Sequence, residues 1–237
     1  MITDVIQRNS GATMSPWVRK EGPGCYLQGR KMSLHPNVFV HVDGLDYVHD
    51  SYYMPALQDP VVPYDYGKAF DKLRLLWQVG STVVFPPSRL RHHEEQVVPL
   101  VVPEMEIMLY NTWLRAKDVV GQPVVAVHGD PTLENIMALN GHAVWIDPST
   151  RTMPLDVEFD AAKILQSYFG YETLGPSLPP SHVARHFLVN LRLNLPLTAY
   201  YLMTHLVRLY KVQPQARAWA LDLATNLDAR VTEALCK

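Results

Sequence analysis

The first 58 residues alternate short β-prone runs with turn residues, which is the pattern expected of strands in a small sheet. Runs at residues 5–7 and 17–20 flank Asn9-Ser10-Gly11, and this arrangement predicts a hairpin. Runs at 38–42 and 47–53 flank Asp43-Gly44, which predicts a second hairpin. We therefore expect an antiparallel sheet in this part of the chain.

Beyond residue 58 the apolar positions recur at helical spacing. The pattern predicts helices over 66–78, 91–117, 159–169, 182–195, 197–211 and 214–235. Pro99 and Pro103 have to interrupt the second of these, because proline lacks the N–H of a helical hydrogen bond. The predicted class is α+β, with a β-rich region over 1–58 and a mainly helical region over 59–237.

Between these helices, three apolar runs at 125–127, 136–139 and 144–146 predict short strands, and Asn140-Gly141 predicts a turn between the last two. Asp130 follows the first run, Asn135 precedes the second, and Asp147 follows the third. We expect these three side chains at one end of a small sheet. One carboxylate to accept a hydroxyl proton and two oxygen ligands for Mg²⁺ on ATP are what phosphoryl transfer needs.

These residues resemble the catalytic segment of the protein-kinase-like superfamily. His128, Asp130 and Asn135 match the pattern H-x-D-x-x-x-x-N, and Asp147 stands where that superfamily has a metal-binding Asp. The resemblance is to the small-molecule branch, which includes aminoglycoside phosphotransferases, choline kinases, and capsule- or sugar-kinase-like proteins. Gly129 replaces the Arg of the protein-kinase pattern, which argues against an activation loop that is phosphorylated to engage that Arg.

The resemblance implies a two-lobed fold with a reduced N-terminal β lobe over 1–58 and a mainly helical C-terminal lobe over 59–237. It places a hinge near 54–58, a catalytic loop at 128–135 and a metal segment at 147–149.

It also implies roles and cofactors. ATP and Mg²⁺ would be the cofactors, Asp130 the catalytic acceptor of a proton, and Asn135 and Asp147 the metal ligands. His128 and Asp160 would give structural support, since residues 155–168 look like the family's D-x-A-K-L-x-x-S helix, whose Asp supports the catalytic loop.

The first lobe departs most from the family, because it has no G-x-G-x-x-G loop; residues 9–12 are only a weak substitute. Lys20 is the candidate phosphate contact, with Gln28 as its partner, and Met54 and Ala56 would meet the adenine edge. Lys20 could equally be a solvated surface charge, and Arg19 could take its place if the strand register were reversed. We expect Lys31 to be solvated.

Composition limits the remaining possibilities. The chain has 237 residues and a formal net charge of −2, which gives no sign of nucleic-acid or membrane capture. Two cysteines near opposite ends, with no secretory leader or apolar span, favour a soluble cytoplasmic protein. A protein partner or a second copy could complete the small first lobe.

The acceptor is expected to be a small hydroxyl compound. Residues 173–237 carry seven Lys and Arg against three Asp and Glu, so a neutral or anionic, sugar-like acceptor fits better than a polycationic aminoglycoside. Two alternatives stay open. One is a pseudokinase or kinase-like interaction protein that binds nucleotide or partner without transfer, and the other is transfer onto a protein or transfer of AMP rather than phosphate.

Overall fold

The structure, a computed structural model, describes residues 2–10, 13–57, 66–78, 86–122, 124, 126–140, 142–150, 156–170 and 181–236. The chain falls into two units. The first contains Met1–Leu76 and Glu134–Arg151, and the second contains Trp77–Leu133 and Thr152–Lys237. The predicted lobe boundary at residue 58 lies outside the described residues, so it stays a prediction.

The first unit is built on an antiparallel sheet whose strands lie in the order β1-β2-β4-β3. The strands are β1 (Ile2–Ser10), β2 (Thr13–Glu21), β3 (Asp43–Asp46) and β4 (Ser51–Pro55). Helix α1 (Cys25–Leu34) connects β2 to the segment before β3, and helix α2 (Tyr66–Gln78) follows β4. The predicted small antiparallel sheet is thus confirmed.

The first predicted hairpin is confirmed as β1 and β2, which pair antiparallel from Ile2–Lys20 to Ser10–Thr13. The second was placed wrongly. Asp43 and Gly44 lie inside β3, and the reversal occurs at residues 47–50. The reason is local: the Asp46 carboxylate accepts the backbone N–H groups of Val48 and His49, which stabilises the turn there instead.

The run at residues 38–42 therefore has a different partner. Phe39 forms a parallel bridge with Trp145, and the N–H of Val40 donates to the Trp145 carbonyl over 3.2 Å. The Trp145 indole is fully buried, and its Nε1 donates to the Ala69 carbonyl of α2 at 2.7 Å. Trp145 thus links the segment before β3 to helix α2.

Trp145 ends the second strand of a two-stranded hairpin, β5 (Ile136–Leu139) and β6 (His142–Trp145). Asn140, with φ of 51°, makes the predicted turn, because Asn tolerates the left-handed conformation. The strand predicted at 125–127 is wrong: the described residues 124 and 126–130 are not in a strand. The amides of His128 and Gly129 donate to the Asp160 carboxylate rather than to a neighbouring strand.

The second unit is mainly helical. Its described helices are α3 (Pro86–Arg91), α4 (Pro103–Ala116), α5 (Val157–Tyr168), α6 (Ser181–Val189), α7 (Leu195–Val212), α8 (Arg217–Thr225) and α9 (Leu227–Cys236). A π-helix (His92–Val97) and 3-10 turns (Val98–Leu100, Pro214–Ala216) lie between them. Helices α5 and α7 form the core, and every residue of α5 from Val157 to Ser167 is buried.

Most helix predictions are confirmed, including 66–78 and the interruption at Pro99 and Pro103, where α4 begins. The single helix predicted over 214–235 is wrong, because the chain breaks at Asn226 between α8 and α9. The helix predicted over 182–195 ends at Val189. The Asn194 side chain instead caps α7 by accepting the Leu197 N–H at 3.2 Å.

The beginning of α5 is fixed by a buried arginine. The Arg89 guanidinium donates to Asp156, the N-cap residue of α5, at 3.0 Å, to the Tyr201 hydroxyl at 3.0 Å, and to the Val119 carbonyl at 2.5 Å. The Tyr201 hydroxyl also donates to Asp156. A guanidinium with this many acceptors is well satisfied in the interior, and it holds α5 in place for the contacts described below.

No helix in the described part of the chain is both long enough and apolar enough to cross a bilayer.

Candidate functional site

Lys20 and Asp147 are brought together in the first unit. Lys20 lies near the end of β2, the strand between β1 and β4, and its Nζ forms an ion pair with Asp147 Oδ1. The side chains are 17% and 33% exposed, so the pair remains partly accessible to solvent. Arg19 points elsewhere, to Glu21 at 3.2 Å and to the Ser51 hydroxyl. Of the two registers considered, the one observed directs Lys20 towards Asp147.

Asn135 and Asp147 flank the same end of the β5–β6 hairpin. Ile136 pairs with Trp145, and the N–H of Ile146 donates to the Asn135 carbonyl at 3.0 Å. Asp147 has φ of 51°, a left-handed conformation that costs energy for a residue other than glycine and often marks functional sites. The structure therefore places one amide residue and one carboxylate residue at the same end of the hairpin.

Residues after Asp147 are held by α1. Lys31, which we expected to be solvated, is half-buried, and its Nζ donates to the Ser149 carbonyl at 3.1 Å. That expectation was wrong because the side chain lies towards the 147–149 segment. The Asp50 carboxylate fixes the start of α1, accepting the N–H groups of Gly24 at 2.6 Å and Tyr26 at 2.7 Å. Lys31 and Asp50 were not identified as site residues from sequence.

The other predicted nucleotide contacts are less directly supported. Gln28 is half-buried on α1, and the observed partner of the Lys20 ammonium is the carboxylate of Asp147. The role of Gln28 as the partner of Lys20 stays a prediction. Met54 is buried in β4, and Ala56 follows the end of that strand. Whether the backbone there meets an adenine stays a prediction. Residues 11 and 12 of the weak phosphate-loop candidate lie outside the described residues.

Tyr52 is a further polar group at this place that sequence reasoning missed. It pairs with Lys20 across β2 and β4, so the two side chains leave the same face of the sheet. The ring is fully buried, and its hydroxyl has no hydrogen-bond partner among the described residues. Burial, and then the charge of Asp147, raise the pKa of Tyr52. The Tyr52 phenol therefore stays neutral beside the Lys20–Asp147 pair.

In the second unit, Asp160 supports the backbone of residues 128–129. Its carboxylate is fully buried and accepts the N–H groups of His128 and Gly129, each at 2.7 Å, and the Trp77 indole N–H at 2.9 Å. His128 is also fully buried, and its Nδ1 accepts the N–H of Asp130 at 3.3 Å. These contacts fix the backbone that carries Asp130.

Asp130 itself forms an ion pair with Lys163 of α5, with 2.9 Å between Nζ and Oδ1. Burial acts to raise the pKa of the Asp130 carboxyl. The charge of Lys163 and its hydrogen bond, followed by the charges of His128 and Arg208, outweigh burial and lower that pKa below its usual value. Asp130 is therefore ionised at neutral pH and can accept a hydrogen bond.

No protein-family model matches the sequence, and no curated protein matches it. Solved structures match over nearly the whole chain. A thermostable mutant of the aminoglycoside phosphotransferase APH(4)-Ia, in ternary complex with AMP-PNP and hygromycin B, has a TM-score of 0.63 at 13% identity, and the match covers 97% of this chain and 95% of that one. The choline kinase LicA from Streptococcus pneumoniae has a TM-score of 0.59 at 14% identity, and the match covers 99% of this chain and 94% of that one.

The chain has the fold of the small-molecule kinases. The expected fold class is thereby confirmed, including the small antiparallel sheet and the mainly helical remainder.

One residue without a predicted role, Lys163, contacts the predicted catalytic residue Asp130. In the sequence Lys163 is one letter of the D-x-A-K-L-x-x-S pattern, and in the structure its ammonium contacts Asp130. A signal was present: a lysine within a helix whose other residues are mainly apolar or small needs a buried partner, since lysine is almost never buried unpaired.

We expect Asp160→Ala to destabilise the protein. Three buried N–H donors would lose a charged acceptor, and each hydrogen bond to a charged group contributes about 1.5–3 kcal/mol. The free energy of unfolding should fall by about 3 kcal/mol or more, as measured by denaturant titration. Asp222→Ala, at an exposed position on α8, is the matched control. Equal losses in the two variants would contradict the supporting role of Asp160.

Proposed function

We propose that this protein is an ATP- and Mg²⁺-dependent phosphotransferase that moves the γ-phosphate of ATP to a hydroxyl of a small molecule. The proposal combines the small-molecule kinase fold with an intact His128, Asp130, Asn135 and Asp147 set at the motif spacing. Solved structures of similar fold contain AMP-PNP, ADP or AMP, which supports a nucleotide as the donor.

The ion pair between Lys20 and Asp147 is the observation that carries the proposal. A phosphate-binding lysine has to leave the sheet of the first unit on the same side as the metal-binding carboxylate. Lys20 does so although the family's usual strand motif is absent from this chain. A chain that had kept only the fold as a binding module would have no need for this pairing, so the contact favours an enzyme over a pseudokinase.

Asn135 and Asp147 are the residues that would hold the metal. Their side chains offer oxygen atoms, which suit Mg²⁺, and Mg²⁺ on a nucleotide typically needs only one or two protein carboxylates besides the phosphates. This fits the finding that no three His, Cys, Asp or Glu side chains of the described residues converge on a metal site. When bound, Mg²⁺ neutralises charge that develops on the phosphate oxygens.

Asp130 is assigned the chemical step. Its ionised carboxylate accepts a hydrogen bond from the acceptor hydroxyl and takes the proton as the acceptor oxygen bonds to the γ-phosphorus. The bond from that phosphorus to the β–γ bridging oxygen breaks, and ADP leaves with the bridging oxygen. Asp130 then returns the proton to water. The motif spacing, rather than a measured distance, is why Asp130 and the two metal ligands are assigned to one reaction.

The acceptor is proposed to be neutral or anionic, such as a sugar. Two cations, Lys163 and Arg208, act on the Asp130 carboxylate. Their positive charges would repel a polycationic acceptor. Much of the positive balance counted over residues 173–237 lies on exposed side chains, among them Arg192, Arg217 and Arg230. Support for this part of the proposal therefore comes from Lys163, which contacts Asp130, and from the charge of Arg208.

Lys20→Met tests the assignment of the nucleotide site. The variant keeps most of the aliphatic stem and removes a charged donor, which typically contributes about 1.5–3 kcal/mol. We expect Mg²⁺·ATP to bind about 10- to 100-fold more weakly by isothermal titration calorimetry, with unchanged circular dichroism. Arg30→Met, at an exposed position on α1, should bind like the parent. Equal affinity of Lys20→Met and parent would instead favour the pseudokinase.

A further inference from the structure

One face of α5 contacts the 128–133 segment at three positions. Asp160 accepts the amides of His128 and Gly129, and the Ser167 hydroxyl accepts the Leu133 N–H at 3.2 Å. Residue 163 lies between residues 160 and 167 at spacings of three and four, which places all three side chains on one helix face. Two of these contacts hold backbone. Lys163 is different, because it contacts the side chain of Asp130.

Burying a lysine at position 163 costs free energy. Its side chain is 9% exposed, and the residues around it on α5 are buried. A buried lysine usually needs a charged partner, and replacing a buried ion pair by apolar residues is often neutral or stabilising. Stability alone therefore gives a weak reason for a lysine here. A role in fixing Asp130 for its reaction gives a stronger one.

We propose that Lys163 is a positioning residue for transfer: its ammonium fixes the Asp130 carboxylate as the oriented, negatively charged acceptor of the substrate hydroxyl's proton. This inference rests on the proposed function. In this step the only proton that moves is the one passing from the hydroxyl to Asp130. Lys163 therefore acts through Asp130 and does not itself take part in bond making.

Several charged or titratable groups face the Asp130–Lys163 pair. These groups are Lys163 on α5, Arg208 and His205 on α7, and His128 in the segment that carries Asp130. Among the charges, that of Lys163 has the largest effect on the pKa of Asp130. Burial, and then the charge of Lys163, lower the pKa of His205 well below its usual value, so His205 is neutral at physiological pH. In a variant without Lys163, burial would raise the pKa of the Asp130 carboxyl, and chiefly the charges of His128 and Arg208 would oppose that rise.

The sign of the pH effect follows from this balance. Transfer needs ionised Asp130, so activity is lost as pH falls through the pKa of that carboxyl. Lys163 lowers this pKa. Lys163→Met should raise it, and the acid limb of kcat/KM should move to higher pH by about one unit or more, since a neighbouring opposite charge typically shifts a carboxyl by about 1–3 units. Activity should recover towards alkaline pH.

The test uses the whole 237-residue chain with Mg²⁺·ATP, and with water as the acceptor, so that no acceptor has to be known. Lys163→Met, Lys163→Arg and the control Lys117→Met are compared over pH; Lys117 is exposed and pairs with Asp118. We expect the acid limb to shift only in Lys163→Met and to be restored in Lys163→Arg, with KM for ATP unchanged in all three. The pKa of Asp130, followed by ¹³C NMR and identified with Asp130→Asn, should rise in parallel.

The outcomes separate the two claims. If the parent protein does not turn over ATP with water or any added hydroxyl compound, the proposed function fails and this inference fails with it. If the parent is active but the acid limb and the NMR pKa of Lys163→Met are unchanged, only the positioning role is overturned. A raised KM for ATP with an unmoved limb would make Lys163 a phosphate contact instead. Should Lys163→Met not fold, Lys163→Arg against Lys163→Gln carries the same comparison.

Discussion

Asp130→Asn is expected to lower the rate of phosphoryl transfer by about 10²- to 10⁴-fold, the usual contribution of a general base. The amide keeps the size of the side chain, but it cannot take the proton of the acceptor hydroxyl. Nucleotide affinity should change little, because Asp130 acts on the acceptor rather than on ATP. Steady-state kinetics give kcat, and calorimetry with Mg²⁺·ATP gives the dissociation constant.

Asp118→Asn is the matched control for this variant, since Asp118 is an exposed carboxylate of the same unit that pairs with Lys117. It should keep the parent rate and affinity. Loss of nucleotide binding in Asp130→Asn comparable to its loss of rate would show that Asp130 acts in binding, and the assignment as proton acceptor would be wrong.

Asp147→Asn should weaken the Mg²⁺-dependent part of ATP binding by at least about tenfold, because even the outer partners of metal ligands contribute about 10- to 100-fold. Turnover should fall with it. Asn tolerates the left-handed conformation that Asp147 adopts, so the backbone of the segment is preserved. Titrations of ATP with Mg²⁺ and with EDTA separate the metal-dependent part from the rest.

The control is Asp71→Asn, an exposed position on α2 in the same unit. This variant should bind Mg²⁺·ATP like the parent. The assignment of Asp147 as a metal ligand is untenable if Asp147→Asn and the parent respond equally to added Mg²⁺.

The local elements were largely predictable from sequence because their causes are local. Helical spacing marks α2 at Tyr66–Gln78, and strand alternation puts Val18 and Lys20 on one face of β2. The turn at Asn140 follows from its tolerance of positive φ.

The misplaced elements failed where two local signals competed or where a distant group decided. Asp43-Gly44 is a good turn sequence, but the Asp46 carboxylate satisfies two turn amides and moves the reversal to residues 47–50. The apolar run at 125–127 is compatible with a strand. The amides that follow it bond instead to Asp160, which is about 30 residues away along the chain.

The candidate site shows the same division. Motif spacing points to Asp130, Asn135 and Asp147, but it says nothing about which cations face them. Lys31 looks like an ordinary surface lysine in the sequence, whereas the mainly apolar or small residues around Lys163 indicate that its ammonium needs a buried partner. Only the packing of α1 and α5 directs these lysines to the Ser149 carbonyl and to Asp130, so the identity of each partner depends on tertiary structure.

The central claim is tested most directly by following the γ-phosphate itself. The protein is incubated with Mg²⁺ and ATP labelled with ³²P at the γ position, against a panel of neutral and anionic sugars, choline and aminoglycosides. A parallel series uses ATP labelled at the α position. We predict γ-label on a neutral or anionic hydroxyl compound, no transfer of α-label, and transfer by Asp130→Asn that is about 10²- to 10⁴-fold slower. Tight nucleotide binding without transfer of either label to any acceptor would contradict the account and identify the chain as a pseudokinase.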